Sequence, residues 1–268
     1  MAEDRVYADR SGGDALFVAS EVGVTRAAVA NGRVGRFSLE HRCSPRDLAA
    51  GDGWLAVATD EDVLLRRERD EAEPEYVATG FGPATAVGAD GADLLAATPD
   101  AEIARLLDAE GEFLAIADVD APVRAIDGDL VAAGDGVYRL SPDGLDHAGL
   151  DDAHDVSTAA TPLVATGEGL FRLGNGWLRA AEGEATVVVA GRERAWAVVD
   201  GDLRERDGDA WPERSVPHQP VALAHGERLY AVSDDGEVFA ADAEAPEGWR
   251  RRSLGVPGVV AAVVGGEV

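Results

Sequence analysis

Lysine is absent from this chain of 268 residues, and all 24 basic side chains are arginine. Without lysine no GxxxxGK[ST] phosphate loop exists. Cysteine occurs once, at Cys43, which excludes an internal disulfide and any multi-cysteine zinc or iron–sulfur site. The five histidines, His41, His147, His154, His218 and His225, form no HxH or HExxH pair. Long apolar runs are missing too. Ala15–Ser20, Trp54–Thr59 and Val259–Val264 are the longest kind present, far short of the ~20 residues of a membrane helix. The opening residues Met1, Ala2, Glu3 and Asp4 are acidic and lead into no apolar stretch, unlike a secretory leader. The expectation is a cytoplasmic protein with no membrane association and no cofactor.

What the chain has in excess is negative charge: 51 Asp and Glu against 24 Arg, a net charge of -27. Hydrophobic residues make up 46%, a globular rather than a disordered proportion. Dense carboxylates, arginine in place of lysine and few large apolar residues (six Phe, one Met) resemble proteins of extremely halophilic archaea. In molar salt the Debye length falls to roughly 3 Å, so self-repulsion is screened. The same charge argues against nucleic acid, which needs a basic face to meet its phosphates.

A repeat organises the whole sequence. Apolar segments beginning at Leu16, Leu55, Leu94, Leu130, Leu163, Trp196 and Leu229 recur at spacings of 39, 39, 36, 33, 33 and 33 residues. Each reads as a strand, a tight turn rich in Asp, Glu or Gly, and a second strand. Upstream lies a short apolar run, often after proline, as at Pro45, Pro83, Pro122, Pro220 and Pro257. Downstream a further strand often begins at an aromatic residue: Tyr76, Phe113, Trp177, Trp211 or Trp249. Four strands, A to D, in seven units predict an all-β, seven-bladed β-propeller of four-stranded blades over residues 1–268. The segment 258–264 parallels a strand A with no blade after it, so it is expected to close the ring; Val6–Ala8 competes for that place.

Segments such as LVATGEGLFRLGNGWLRAAEG and LYAVSDDGEVFAADAEAPEGW resemble the YVTN/BNR-type repeats of seven-bladed propellers, and the composition resembles a halophilic archaeal propeller family of unassigned function. The resemblance implies fold and leaves activity open. The Asp-box pattern is echoed only by Ser233, Asp235 and Gly236, without its tryptophan.

Propeller ligands bind at a channel mouth, where the D–A connections and B–C turns converge. Every B–C turn carries an acid: Glu21, Asp60, Asp100, Asp135, Glu168, Asp200 and Asp234. These acids could serve a cation, but tight turns select Asp and Gly through local hydrogen bonding anyway. Arginine recurs in strand C at Arg26, Arg66, Arg105, Arg139, Arg172 and Arg204, where cross-strand ion pairs account for it. The segment His41–Asp47, HRCSPRD, opposes the global charge and holds the only thiol, which its basic neighbours could activate. His218 and His154 precede expected A strands.

The reading is a monomeric, non-catalytic interaction scaffold or binding propeller adapted to high salt, with another protein as partner. Arg42, Arg46, Asp60, Asp135, Glu168 and His218 are the candidate binding residues; no catalytic or metal-ligating residue is assigned. The alternative is a small-molecule hydrolase of lactonase type with a divalent cation such as Ca²⁺ at the mouth. It requires several of Asp60, Asp135, Glu168 and Asp200 to converge.

Overall fold

Strand B of each unit is the most apolar segment of the chain, and burial explains it. Ala15–Ser20 and Trp54–Thr59 are buried at every residue, as a strand flanked on both sides within its sheet and covered on both faces must be. A computed structural model describes residues 15–67, 75–107, 112–142, 144–242, 244–245 and 248–265. It forms seven antiparallel sheets. Blade 1 runs Ala261–Gly265, Ala15–Ser20, Gly23–Ala30 and Arg33–His41 from strand A to strand D. Blade 2 is Pro45–Gly51, Trp54–Thr59, Val63–Arg67 and Tyr76–Ala78; blade 3 is Ala86–Asp90, Asp93–Ala97, Glu102–Leu106 and Leu114–Asp118. Blades 4 and 5 begin with Val123–Asp127 and Ala153–Ser157 and end with Gly144–Gly149 and Gly176–Glu182. Blade 7 runs from Pro220–His225 to Trp249–Ser253.

The ring closes through the C-terminal segment. Ala261–Gly265 pairs antiparallel with strand B of blade 1, Ala19 opposite Ala261 and Ala15 opposite Gly265. The competing segment Val6–Ala8 lies outside the described residues. Successive blades pack face to face, and at the seam Leu16, Val18 and Val29 of blade 1 share a core with Tyr230, Val232 and Val238 of blade 7.

Blade 6 departs from the expected pattern. It has three strands, Ala185–Ala190, Ala195–Val199 and Asp202–Glu205. The fourth, expected from Trp211, shrinks to a bridge between Arg204 and Glu213. Pro212 contributes to the loss, because it sits opposite Glu205 in that register and has no N–H to donate to the ladder. Trp211 stays in the core nonetheless.

The strand C arginines meet acids, as expected across adjoining strands for Arg26 with Glu40 and Arg105 with Asp93, but also beyond them: Arg66 reaches Glu40 of the preceding blade, Arg105 also reaches Asp90 on strand A, and Arg139 reaches Asp129 in the A–B turn. Arg172 reaches Asp209, whereas Arg204 donates to the Trp211 carbonyl oxygen instead.

Candidate ligand-recognition site

Strand A lines the central channel, and five of the seven A strands carry a register slip near their start: Pro45/Asp47, Val123/Ala125, Ala153/Asp155, Ala185/Val187 and Pro220/Ala222. A bulge leaves one residue unpaired and re-aims its side chain. That residue is Arg46, Arg124, His154, Thr186 and Val221 in turn, and Val260 takes the corresponding place in blade 1. All six line a channel cavity of about 310 Å³.

The entrance is therefore two-sided. Arg46, Arg124 and His154 come from blades 2, 4 and 5, while blades 7 and 1 present Val221 and Val260, 37% and 49% exposed. The polar arc is built around Asp152, in the connection between blades 4 and 5. Arg124 Nη1 donates to Asp152 Oδ1 at 2.7 Å and to the Ala153 carbonyl oxygen at 3.1 Å. His154 Nδ1 lies 2.9 Å from the Ala185 carbonyl oxygen, so Nδ1 carries the proton and donates; Nε2 lies 3.4 Å from Asp152 Oδ2. The Arg124 hydrogen bond, with help from His154, holds the Asp152 carboxyl below the usual carboxylate range. Asp152 and Leu150 adopt φ of 49° and 61°, a left-handed region that non-glycine residues enter only where the surroundings impose it.

Below the entrance, Asp47 and Asp155 occupy identical positions in blades 2 and 5. Each accepts its own strand's next N–H (Leu48, 2.8 Å; Val156, 2.9 Å) and an N–H of the next blade (Val87, 3.0 Å; Val188, 2.8 Å). The inner edge of strand A has no further strand to pair with, and these carboxylates satisfy part of it while latching neighbouring blades. Burial pushes both carboxyls up to about 7, against the opposing pull of the two N–H donors. Asp127, which accepts from Thr158 in the next blade, is raised by burial as well. Where blades 3 and 4 meet, Gly88 admits the close approach of strand A of blade 4; a Cβ there would collide with Ile126.

Of the residues selected from sequence, Arg46 reaches the channel; Arg42, Asp60, Asp135, Glu168 and His218 are not among those lining it. Arg42 and Asp60 are exposed. Asp135 accepts a 2.7 Å hydrogen bond from the Tyr138 hydroxyl, Glu168 lies 3.7 Å from Arg179, and His218 sits 3.9 Å from Glu237 and against Phe239. Asp135 and Glu168 engage groups of their own blades and Asp60 is left to solvent, and among the described residues no three His, Cys, Asp or Glu side chains converge to hold a metal ion. The geometry required by a Ca²⁺-dependent alternative is therefore not formed by them. Two of the turns are closed by a hydroxyl at the end of strand B: Thr59 Oγ1 accepts from Glu61 and Asp62, and Thr166 Oγ1 from Glu168 and Gly169. In the Asp-box echo Ser233 Oγ likewise accepts from the Glu237 N–H, at 3.2 Å, and donates to Asp235 Oδ1. Cys43 packs beside the blade 1–2 core, and burial, reinforced by Asp60, pushes its thiol up to about 11, away from a reactive thiolate.

Arg124, Asp152 and His154 were not selected as a unit from sequence. The signal available was positional: Pro45-Arg46, Val123-Arg124 and Ala153-His154 stand at one register of strand A.

Fold and entrance together define a closed seven-bladed β-propeller with an asymmetric channel mouth. The chain belongs to a propeller family: the model described as "Beta-prop_HVO_0234:-like, beta propeller" matches residues 1–265. The search of curated proteins returned no match. Similar solved folds include a chain of a nidogen/laminin complex, at 13% identity and TM-score 0.57, covering 94% of this chain and 98% of that one. Apo AztD from Citrobacter koseri matches at 14% and 0.61 over 92% and 84%, and the WD40 β-propeller domain of Doa1 at 13% and 0.66 over 92% and 89%. At such identities the likeness is one of fold. Among the described residues no helix is long and apolar enough to cross a membrane.

Proposed function

We propose that this chain is a non-catalytic binding propeller that engages another protein at the channel mouth, in the cytoplasm and at high salt. The observation that carries the reading is the divided entrance: Arg46, Arg124 and His154 on one arc, solvent-exposed Val221 and Val260 on the other. A few placed polar groups beside apolar surface are what a recognition site needs, and a rigid ring holds them in fixed relation. The raised Cys43 thiol and the separate engagement of the turn acids supply no activated nucleophile or acid–base pair. One of the similar folds was itself solved in a protein complex, that of nidogen with laminin. The charge of -27 suits a surface hydrated in molar salt.

The test is affinity purification of the full chain in molar KCl with mass spectrometry and metal analysis of the same eluate. A reproducible, stoichiometric protein partner is expected. A lone protein that retains a divalent ion and turns over ester or lactone substrates would overturn the reading.

A further inference from the structure

We infer that the channel entrance clamps a carboxylate that ends a short aliphatic chain, the carboxylate on the arginine arc and the chain on Val221 and Val260. This rests on the entrance being the recognition surface proposed above.

Arg46 is the first support. Acids outnumber arginines by 51 to 24, and the strand C arginines at Arg26, Arg66, Arg105, Arg139 and Arg172 all lie against carboxylates. Arg46 lines the channel with no hydrogen bond or ion pair to any described residue. Arg124 is the second. Both of its polar contacts run through Nη1, so Asp152 fixes the guanidinium while leaving Nη2 and Nε without a described partner. A guanidinium presents paired N–H groups that match the two oxygens of a carboxylate.

The acids beneath do not compete for these cations. Asp47 and Asp155 each already accept two backbone N–H groups, and burial raises both carboxyls to about 7, which reduces their charge at neutral pH. Beside Arg46, and across the ring from Arg124, the surface changes character: Val221 and Val260 stand in solvent, with Val263 also in the channel wall. The cavity of about 310 Å³ admits a chain end and excludes a folded element. Two sources share this chemistry: the C-terminus of a protein ending in aliphatic residues, and a free branched-chain acid.

The test uses fluorescence anisotropy with the full chain in molar KCl. The probe is an N-terminally labelled hexapeptide ending in Ala-Val-Val with a free carboxylate, set against the same peptide amidated. The free acid is expected to bind about tenfold or more tightly than the amide. Arg124→Gln and, separately, Arg46→Gln should each abolish most of that preference, whereas Arg36→Gln, on outer strand D of blade 1, should keep it. Isovalerate as competitor separates the sources: half-displacement at concentrations comparable with the peptide's own dissociation constant assigns a small acid, and displacement only at about 100-fold higher concentration assigns a protein terminus. Equal binding of acid and amide overturns the clamp, as does binding of neither at millimolar peptide. If neither binds while a stoichiometric protein still co-purifies, the clamp fails and the binding propeller stands. An unaltered thermal melt of each variant guards against misfolding.

Discussion

The B–C turns and the first residues of strand A lie at the same end of the ring, yet they carry opposite chemistry. All seven turns hold an acid, and the acids are occupied locally or left to solvent: Asp135 on Tyr138, Glu168 near Arg179, Asp60 exposed. The strand A entrance holds Arg46, Arg124 and His154 facing one cavity. Repetition in every blade thus marks what a blade needs in order to fold, and the residues that differ from blade to blade mark what the ring presents. Asp62 shows the first half of that lesson. Its carboxylate accepts from Val63 at 2.8 Å, Gly80 at 3.0 Å and Gly82 at 3.1 Å, tying down the connection to blade 3.

If this contrast is sound, entrance and turn substitutions separate cleanly. The largest effect on binding is expected from Arg46→Gln with Arg124→Gln, which should bring the free-acid hexapeptide down to the affinity of the amide, a loss of about tenfold or about 1.4 kcal/mol, with the melting temperature little changed. Next comes the channel wall: Gly88→Ala should cost about 2 kcal/mol in chemical denaturation, because its Cβ meets the backbone and side chain of Ile126. A smaller effect separates the channel carboxylates from those of the turns by pH. Asp47 and Asp155 have folded values near 7, above the ordinary 3.8, so the folded state holds extra protons between about pH 4 and 7. Stability should therefore fall as pH rises through that window and level off above it. Asp47→Asn with Asp155→Asn should flatten the part of the melting curve's pH dependence that Asp60→Asn leaves intact. The smallest effect belongs to the solvated turn acids. Asp60→Asn and Glu168→Gln should shift stability by no more than about 0.5 kcal/mol and leave peptide affinity unchanged.

Asp152 sharpens the contrast from within the entrance. Glycine tolerates its φ of 49°, so Asp152→Gly keeps the backbone and removes only the carboxylate that orients Arg124 and His154. Peptide affinity should drop about tenfold without loss of cooperative melting.

The architecture was legible because period and burial act together: apolar B strands at intervals of 33–39 residues can be satisfied only by stacked sheets, and 258–264 had no blade of its own. Ring closure at Ala261–Gly265 follows that reading. Trp211 misled because an aromatic marks a buried position and not a ladder; Pro212 removed a donor that a fourth strand needed. The entrance was harder to read. Its residues stand one per blade, so no local motif joins Arg46 to Arg124, and a one-residue bulge decides which side chain faces the channel. Acidic turns drew attention by their regularity, while Asp152, whose role depends on a left-handed backbone in an irregular connection, had no regular signal.

The central claim is that recognition happens at the strand A entrance and not on the acidic turns. Its most direct test is quantitative affinity capture in molar KCl with three baits: the unaltered chain, Arg46→Gln with Arg124→Gln, and Asp60→Asn with Asp135→Asn and Glu168→Gln. The account predicts that the stoichiometric partner is lost from the second bait and retained by the third. Retention by the second and loss from the third would contradict it and return the site to the turns.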